Sequence, residues 1–246
     1  EDKIVKSGSW EKFWTEFKVH ASDYFLCVKR VCSRHRLLLF VVFPSLAVAG
    51  ACALFPIDVG ISDGFSHAKR DHRLCYDIMK KVSKYGDFAG AAGCCAALVV
   101  AGKLFGRRRL ILAGVIGFAA SSAAGLFNDV IKFTGRPRPD ARIEYKLEDR
   151  FYGPKFNKRH LPDHHYQSFP SGHTATAFGA AAGIGLICPA FAIPAFAGAS
   201  LVAFSRVYIL DHYPSDVFVA ALIGAWFGLV FALAARDMMK TPVQLQ

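Results

Sequence analysis

Uninterrupted apolar runs of about bilayer length recur along this chain, and they constrain its fold more than any other feature. A helix needs roughly 17–25 largely apolar residues to cross the hydrocarbon of a membrane. Runs of this kind fall at 37–55, 87–105, 110–131, 174–187, 190–209 and 217–235. Composition agrees: 53% of the 246 residues are hydrophobic and the mean hydropathy is +0.29, more than one soluble core needs. The expected fold is all-α, a polytopic membrane protein built as a bundle of six transmembrane helices with an interfacial N-terminal helix.

The stretch 174–209 is broken only by Pro189 and Pro194. One crossing would leave the polar clusters at its two ends on opposite faces, so a tight hairpin is expected there. Gly and Ala are frequent in all six runs, and small residues let membrane helices approach closely. Three parts follow: a cytoplasmic amphipathic segment at 1–36, a six-span unit at 37–235 and a cytoplasmic tail at 236–246. Within the first, Trp10, Phe13, Trp14, Phe17, Ala21, Tyr24, Phe25 and Val28 recur at helical spacing among charged residues. Such a stripe suits a helix lying in the bilayer interface, or one packed on the protein's own core. The segment has no cleavable signal pattern, so the first span is expected to stay as an anchor.

Short loops on the cytoplasmic side collect Lys and Arg. Lys103, Arg107, Arg108 and Arg109 therefore mark a cytoplasmic turn, and both ends of the chain fall on the same side. The segment 56–86 runs against this rule. Its Lys69, Arg70, Arg73, Lys80, Lys81 and Lys84 would lie outside, offset in part by Asp58, Asp63, Asp71 and Asp77. The expected location is the inner (plasma) membrane, with the polar clusters described next facing the periplasm or exterior. Of the seven cysteines, most lie in or beside apolar runs, and buried Cys behaves as a small hydrophobe. None is assigned a role.

A net charge of +11 fits nucleic acid, an anionic membrane or an anionic substrate. No nucleic-acid motif accompanies it, so no nucleic-acid partner is expected. The cations instead gather in three short blocks. The run Lys132-Phe-Thr-Gly-Arg-Pro-Arg-Pro139 leaves a helix through prolines that enforce an extended exit. Guanidinium groups there suit phosphate oxygens, or alternatively lipid headgroups as a plain anchor. Pro170-Ser-Gly-His173 opens the next run, where Ser171 and the Gly172 N–H stand at a helix N-terminus that favours anions. His173 is placed to donate a proton; the bland alternative is a helix cap. In the third block, 205–216, Arg206 offers a phosphate ligand and His212 a nucleophile. Asp216, four residues on, is placed to hold the second imidazole nitrogen, or else to serve as N-cap of the last helix.

Together these blocks resemble the type 2 phosphatidic acid phosphatase family, the membrane branch of a superfamily that includes bacterial acid phosphatases and vanadium haloperoxidases. The family pattern is Lys-x6-Arg-Pro, Pro-Ser-Gly-His and Ser-Arg-x5-His-x3-Asp. Pro170, Ser171, Gly172 and His173 match the second block, and Ser205, Arg206, His212 and Asp216 match the third. Five residues rather than six lie between Lys132 and Arg138, a slip that a helix end absorbs; Arg136 is additional and is a further candidate for the phosphate.

The resemblance implies a metal-independent lipid phosphatase with no cofactor. In it His212, His173 and Asp216 are catalytic, and Lys132, Arg138, Arg206, Ser171 and Gly172 bind the phosphate. The implied partners are a lipid phosphate substrate and the bilayer. Candidate substrates are phosphatidic acid, phosphatidylglycerol phosphate, undecaprenyl diphosphate and lipid A. A lipid-to-lipid phosphotransferase would use the same groups, and a non-catalytic lipid-binding or transport protein is the more remote alternative. The polar loop at 140–168 has the cations and aromatics to select a large anionic headgroup. Its His160, His164 and His165 lack a fourth ligand and are not read as a metal site.

Overall fold

The computed structural model describes residues 2–153 and 163–240. Nine α-helices carry the described chain: α1 Asp2–Arg34, α2 Phe43–Asp71, α3 Arg73–Tyr85, α4 Phe88–Leu104, α5 Arg108–Ile131, α6 Pro139–Tyr145, α7 Gly172–Ile187, α8 Ala192–Tyr208 and α9 Pro214–Lys240. No strand occurs among the described residues, only an isolated bridge between Arg136 and Gln167.

Four helical stretches are long and apolar enough to cross a membrane: Leu38–His67, Arg108–Ile131, Pro189–Tyr208 and Pro214–Lys240. A fifth arises if α3 and α4, bent by 62° at their junction, count as one. The expected run at 174–187 forms α7, which at 16 residues is shorter than the others. The expected hairpin forms as drawn, with α7 ending at Ile187 and a single 3-10 turn, Pro189–Phe191, leading into α8.

Two expected boundaries move. The first apolar run, expected at 37–55, continues through Pro56 in α2, which ends at Asp71. The continuation is held from the side, because Asp58 is fully buried and accepts hydrogen bonds from Ser215 and Arg136. The polar loop at 140–168 likewise begins as a helix, α6, with Pro139 at its first turn and the Asp140 carboxylate accepting from the Ala141 N–H at 2.7 Å. Proline at a helix start costs nothing, since that N–H has no intrahelical partner.

α7 is the centre of the bundle, packed against α9, α5, α8 and α4. Nine of its 16 residues are Gly or Ala, and backbones meet where side chains would otherwise stand. A Cβ on Gly228 of α9 would lie 2.8 Å from the Gly183 nitrogen, and one on Gly224 would lie 2.7 Å from the Gly179 nitrogen. On the opposite face, a Cβ on Gly183 would lie 3.0 Å from the Gly117 Cα of α5. Small residues four apart on facing helices permit this approach, which replaces the hydrophobic force that lipid cannot supply.

The second half of α1 packs on α9. Cys27 and Val31 are buried with Val230 and Ala234, and the Tyr24 hydroxyl donates to the Phe231 carbonyl at 3.0 Å. Phe25 points outward, 68% exposed. The side chains of Trp10, Phe13, Trp14 and Phe17 lie outside the described residues. Arg34 pairs with Asp237 at 3.5 Å, which ties the α1 end to the C-terminal end of α9.

Candidate functional site

The up-and-down course of the helices brings all three sequence blocks to one end of the bundle, opposite the Arg107–Arg109 turn. α5 ends at Ile131, and a 3-10 turn at Lys132–Thr134 closes on Gly135 at φ 68°, a left-handed conformation that glycine adopts without penalty. The chain then runs extended beside the approach to α7. The Arg138 N–H donates to the His165 carbonyl at 2.8 Å, and the Ser168 N–H donates to the Arg136 carbonyl at 3.1 Å. α5 also braces this approach, since the buried Asn128 amide donates to the Pro170 carbonyl at 3.1 Å. At the far side, the N–H groups of Asp211 and His212 both donate to the Arg206 carbonyl, which folds the third block back over the end of α8.

Ser171 is the N-cap residue of α7, and no side chain caps that helix. The first-turn N–H groups of α7 are thus left to face whatever lies at its N-terminus, a favourable place for an anion. Gly172 and His173 line a cavity of about 550 Å³ together with Lys132, Asp129, Asp87, Phe88 and Leu126. Despite its short spacing, Lys132 reaches this place: a Cβ on Gly172 would lie 3.4 Å from the Lys132 Nζ. The ammonium also pairs with Asp129 at 2.8 Å.

Arg138 and Arg206 are joined by a residue that sequence reasoning passed over. Asp211 binds Arg138 at 3.1 Å through one oxygen and Arg206 at 2.7 Å through the other. A second Arg206 N–H is taken by the Ser83 hydroxyl of α3. The Nε atoms of both arginines are buried and have no partner among the described residues. The signal for Asp211 was an acid directly beside His212 and five residues after Arg206.

His212 is buried, and its Nδ1 lies 2.5 Å from the Ser168 carbonyl oxygen. A carbonyl accepts only, so Nδ1 carries the proton and Nε2 keeps its lone pair. Asp216 Oδ2 is 4.0 Å from Nδ1, and it accepts instead from the Ser168 hydroxyl at 2.5 Å and the Tyr213 N–H at 2.9 Å. The expected direct pairing of Asp216 with His212 is therefore replaced by a link through Ser168. Nor is Asp216 the N-cap of α9. It is the third residue of that helix and reaches back to Tyr213, as the acid of a capping box does.

Arg136 does not face the cavity. It is fully buried, and each of its five N–H groups has an acceptor. Asp149 takes two bonds at 2.8 Å, Asp58 one at 2.9 Å, Asp216 one at 2.6 Å and Ser215 one at 2.8 Å. The guanidinium also lies 4.0 Å from the Tyr213 ring centroid and 4.7 Å from that of Phe55. These bonds and neighbouring carboxylates hold its proton more firmly than usual, against the opposing effect of burial, which is the largest single influence. Asp58 gave a sequence signal that was missed, a carboxylate within an apolar helix, which membrane proteins keep only with a partner.

Electrostatics follow the geometry. Burial, then the charges of Arg206 and Arg138, hold the His212 imidazole well below its ordinary value. Burial, then Arg206, lower His173 to about 4. Both shifts favour the neutral imidazole near pH 7. Among the described residues no group of three His, Cys, Asp or Glu side chains is placed to hold a metal ion. His164 and His165 stack at 4.1 Å between ring centroids, while His160, Lys155, Phe156, Lys158 and Arg159 lie outside the described residues.

Comparison with known proteins bears on these same segments. The chain is 33% identical over 112 residues to a lipid A 1-phosphatase of Rhizobium johnstonii, which covers 45% of this chain and 43% of that protein. It is 31% identical over 122 residues to a lipid A 1-phosphatase of Rhizobium etli, covering 49% of each. The chain thus matches about half the length of these curated relatives. Its fold is similar to the crystal structure of a PAP2-type phosphatidylglycerolphosphate phosphatase from Bacillus subtilis, with a TM-score of 0.58 at 22% identity over 84% of this chain and 97% of that one. The model of the PAP2 superfamily matches residues 108–240, which hold all three blocks and more than half of the sequence, and the chain belongs to that superfamily.

Proposed function

We propose that this protein is a multi-pass membrane phosphatase that hydrolyses a lipid phosphate monoester or diphosphate through a phosphohistidine on His212. One observation carries the reading. A buried imidazole with its Nδ1 proton committed to the Ser168 carbonyl stands beside two guanidiniums whose Nε donors have no partner among the described residues. A tetrahedral anion would satisfy those donors.

In the first step the Nε2 lone pair of His212 forms a bond to phosphorus while the ester P–O bond breaks. Arg138, Arg206, Lys132, Ser171 and the Gly172 N–H balance the charge on the non-bridging oxygens. His173 gives its proton to the departing alkoxide. Burial and Arg206 disfavour protonated His173, and the negative charge of a bound phosphate reverses that balance, so His173 takes up a proton from solvent as the substrate binds. Water then attacks phosphorus, the N–P bond breaks, His173 takes up the proton and inorganic phosphate leaves. Asp216 acts through Ser168 to hold His212, and Arg136 holds Asp216.

The same reading takes α2, α4, α5, α7, α8 and α9 as six crossings, with 1–36 and 236–246 cytoplasmic and α1 beginning in the interface. The site then faces the periplasm or exterior of an inner (plasma) membrane. Among the candidates phosphatidic acid, phosphatidylglycerol phosphate, undecaprenyl diphosphate and lipid A, the relatives' names favour lipid A.

The test is phosphate release by purified protein from a panel of these lipids, with EDTA present, beside His212→Ala. Release by the wild type and loss of at least a thousandfold in the variant are expected. Equal rates in the two proteins would refute the nucleophile. Phosphate recovered on a second lipid rather than in solution would make the enzyme a transferase.

A further inference from the structure

The cations of 56–86 lie at the same end of the bundle as the candidate site, and the phosphatase chemistry leaves most of them without a task. α3 carries four of them. Arg73, Lys80, Lys81 and Lys84 are all exposed, and with Asp77 they put five charges on a 13-residue helix, too many for hydrocarbon. Leu74, Ile78 and Tyr85 are also exposed, at 74%, 46% and 70%. At 100° per residue these three fall within about 40° of one another, on a single stripe. Lys81 falls at the edge of that stripe, and Arg73, Lys80 and Lys84 fall on the face about 120° round from its centre. The opposite side holds Ser83, which is buried and bonded to Arg206.

α3 lies between the end of a membrane-crossing helix and α4, from which it is bent by 62°. A helix that leaves and re-enters the bundle at one end, with an outward apolar stripe flanked by cations, matches a helix lying in the headgroup layer. Charge complementarity decides the occupant, since three lysines and an arginine outweigh one aspartate and favour anionic over zwitterionic headgroups.

We propose that α3 is an interfacial helix that binds the anionic headgroups of the surrounding bilayer and gathers them beside the phosphate site. This rests on the phosphatase reading only for its consequence in turnover. It also explains why a basic segment stands on the side where the positive-inside rule would not put it.

The test uses the full chain in vesicles, with its seven native cysteines replaced by alanine and single nitroxides at Leu74→Cys, Ile78→Cys, Tyr85→Cys and Lys80→Cys. In vesicles of phosphatidylcholine and phosphatidylglycerol at 7:3, the first three labels should be reached by oxygen in preference to an aqueous nickel chelate. The label at position 80 should show the reverse. In phosphatidylcholine alone the label at position 78 should become at least twofold more accessible to nickel. Adding Lys80→Gln, Lys81→Gln and Lys84→Gln should abolish that difference. Equal nickel access at all four positions, or no response to phosphatidylglycerol, would overturn the proposal. In turnover, the triple glutamine variant of the otherwise native chain should raise the KM, as substrate mole fraction, by about tenfold with kcat within about twofold; an unchanged KM would refute the gathering role. If the wild type releases no phosphate from any lipid, the phosphatase reading fails while the nitroxide results still decide the position of α3.

Discussion

Replacing Arg136 by lysine separates a structural cation from a substrate-binding one. The guanidinium makes five bonds of 2.6–2.9 Å to Asp58, Asp149, Asp216 and Ser215, whereas an ammonium has three N–H groups and no planar fork. At least two charged hydrogen bonds are lost, at about 1.5–3 kcal/mol each. The ring faces of Tyr213 and Phe55 lose their flat partner as well. Breaking a fully buried pair costs about 3–5 kcal/mol, and the lysine loss should fall in that range. For a chain of this size each kcal/mol lowers Tm by about 2–4 °C, so a fall of roughly 6–20 °C is expected. Thermal unfolding of the detergent-solubilised protein, followed by tryptophan fluorescence, measures it. Arg138→Lys is the control. Its side chain is 20% exposed and, among the described residues, pairs with Asp211, so Tm should move by less than about 3 °C while kcat/KM for a lipid phosphate drops at least tenfold. If Arg136→Lys leaves Tm unchanged and costs the same activity as Arg138→Lys, Arg136 binds substrate and the hub reasoning is wrong.

Three further outcomes follow from the geometry. Ser168→Ala removes the hydroxyl bonded to Asp216 but keeps the carbonyl that holds His212, so kcat should fall by about tenfold rather than vanish, as measured by phosphate release. Gly228→Val forces a side chain onto the Gly183 nitrogen and should destabilise by about 1–3 kcal/mol or more, read as a lower Tm. His173 is lowered to about 4 by burial first and Arg206 second, so below that value it becomes cationic before substrate binds and above it the free enzyme is neutral. The acid limb of kcat/KM that belongs to His173 should therefore lie near pH 4 rather than 6.5; a limb at 6.5 that His173→Gln removes would refute the assignment.

What was legible in the chain was local. Pro170 to His173, and Arg206 with His212, are set by spacing along one turn or one loop, and the structure brings them to the same end of the bundle. The hairpin between α7 and α8 was legible because a single crossing over 174–209 would have left the polar clusters at its two ends on opposite faces. The bonds that hold these groups were not legible. Asp58 meets Arg136 across 78 residues and Ser83 meets Arg206 across 123, and no periodicity encodes such pairs. The end of the first run at 55 was too early for the same reason, because α2 continues past Pro56 on the contacts of Asp58 with Arg136 and Ser215. In α6 the local signals were present, proline at the first turn and an acid after it, but the charge of the loop obscured them.

The buried partners of Arg136 and Arg206 bear on how small a working version of this protein can be made. The segment that the superfamily model matches, 108–240, contains every motif residue. It contains neither Asp58 nor Ser83, which lie on α2 and α3. A fragment beginning at Arg108 would keep the whole chemical vocabulary of the site and lose the grammar that orders it: Arg136 would face an empty place where Asp58 stood, and Arg206 would lose its support from α3. For a minimal enzyme, or for transplanting the site into another bundle, the unit to move begins before α2, although nothing upstream of α5 carries a recognisable motif.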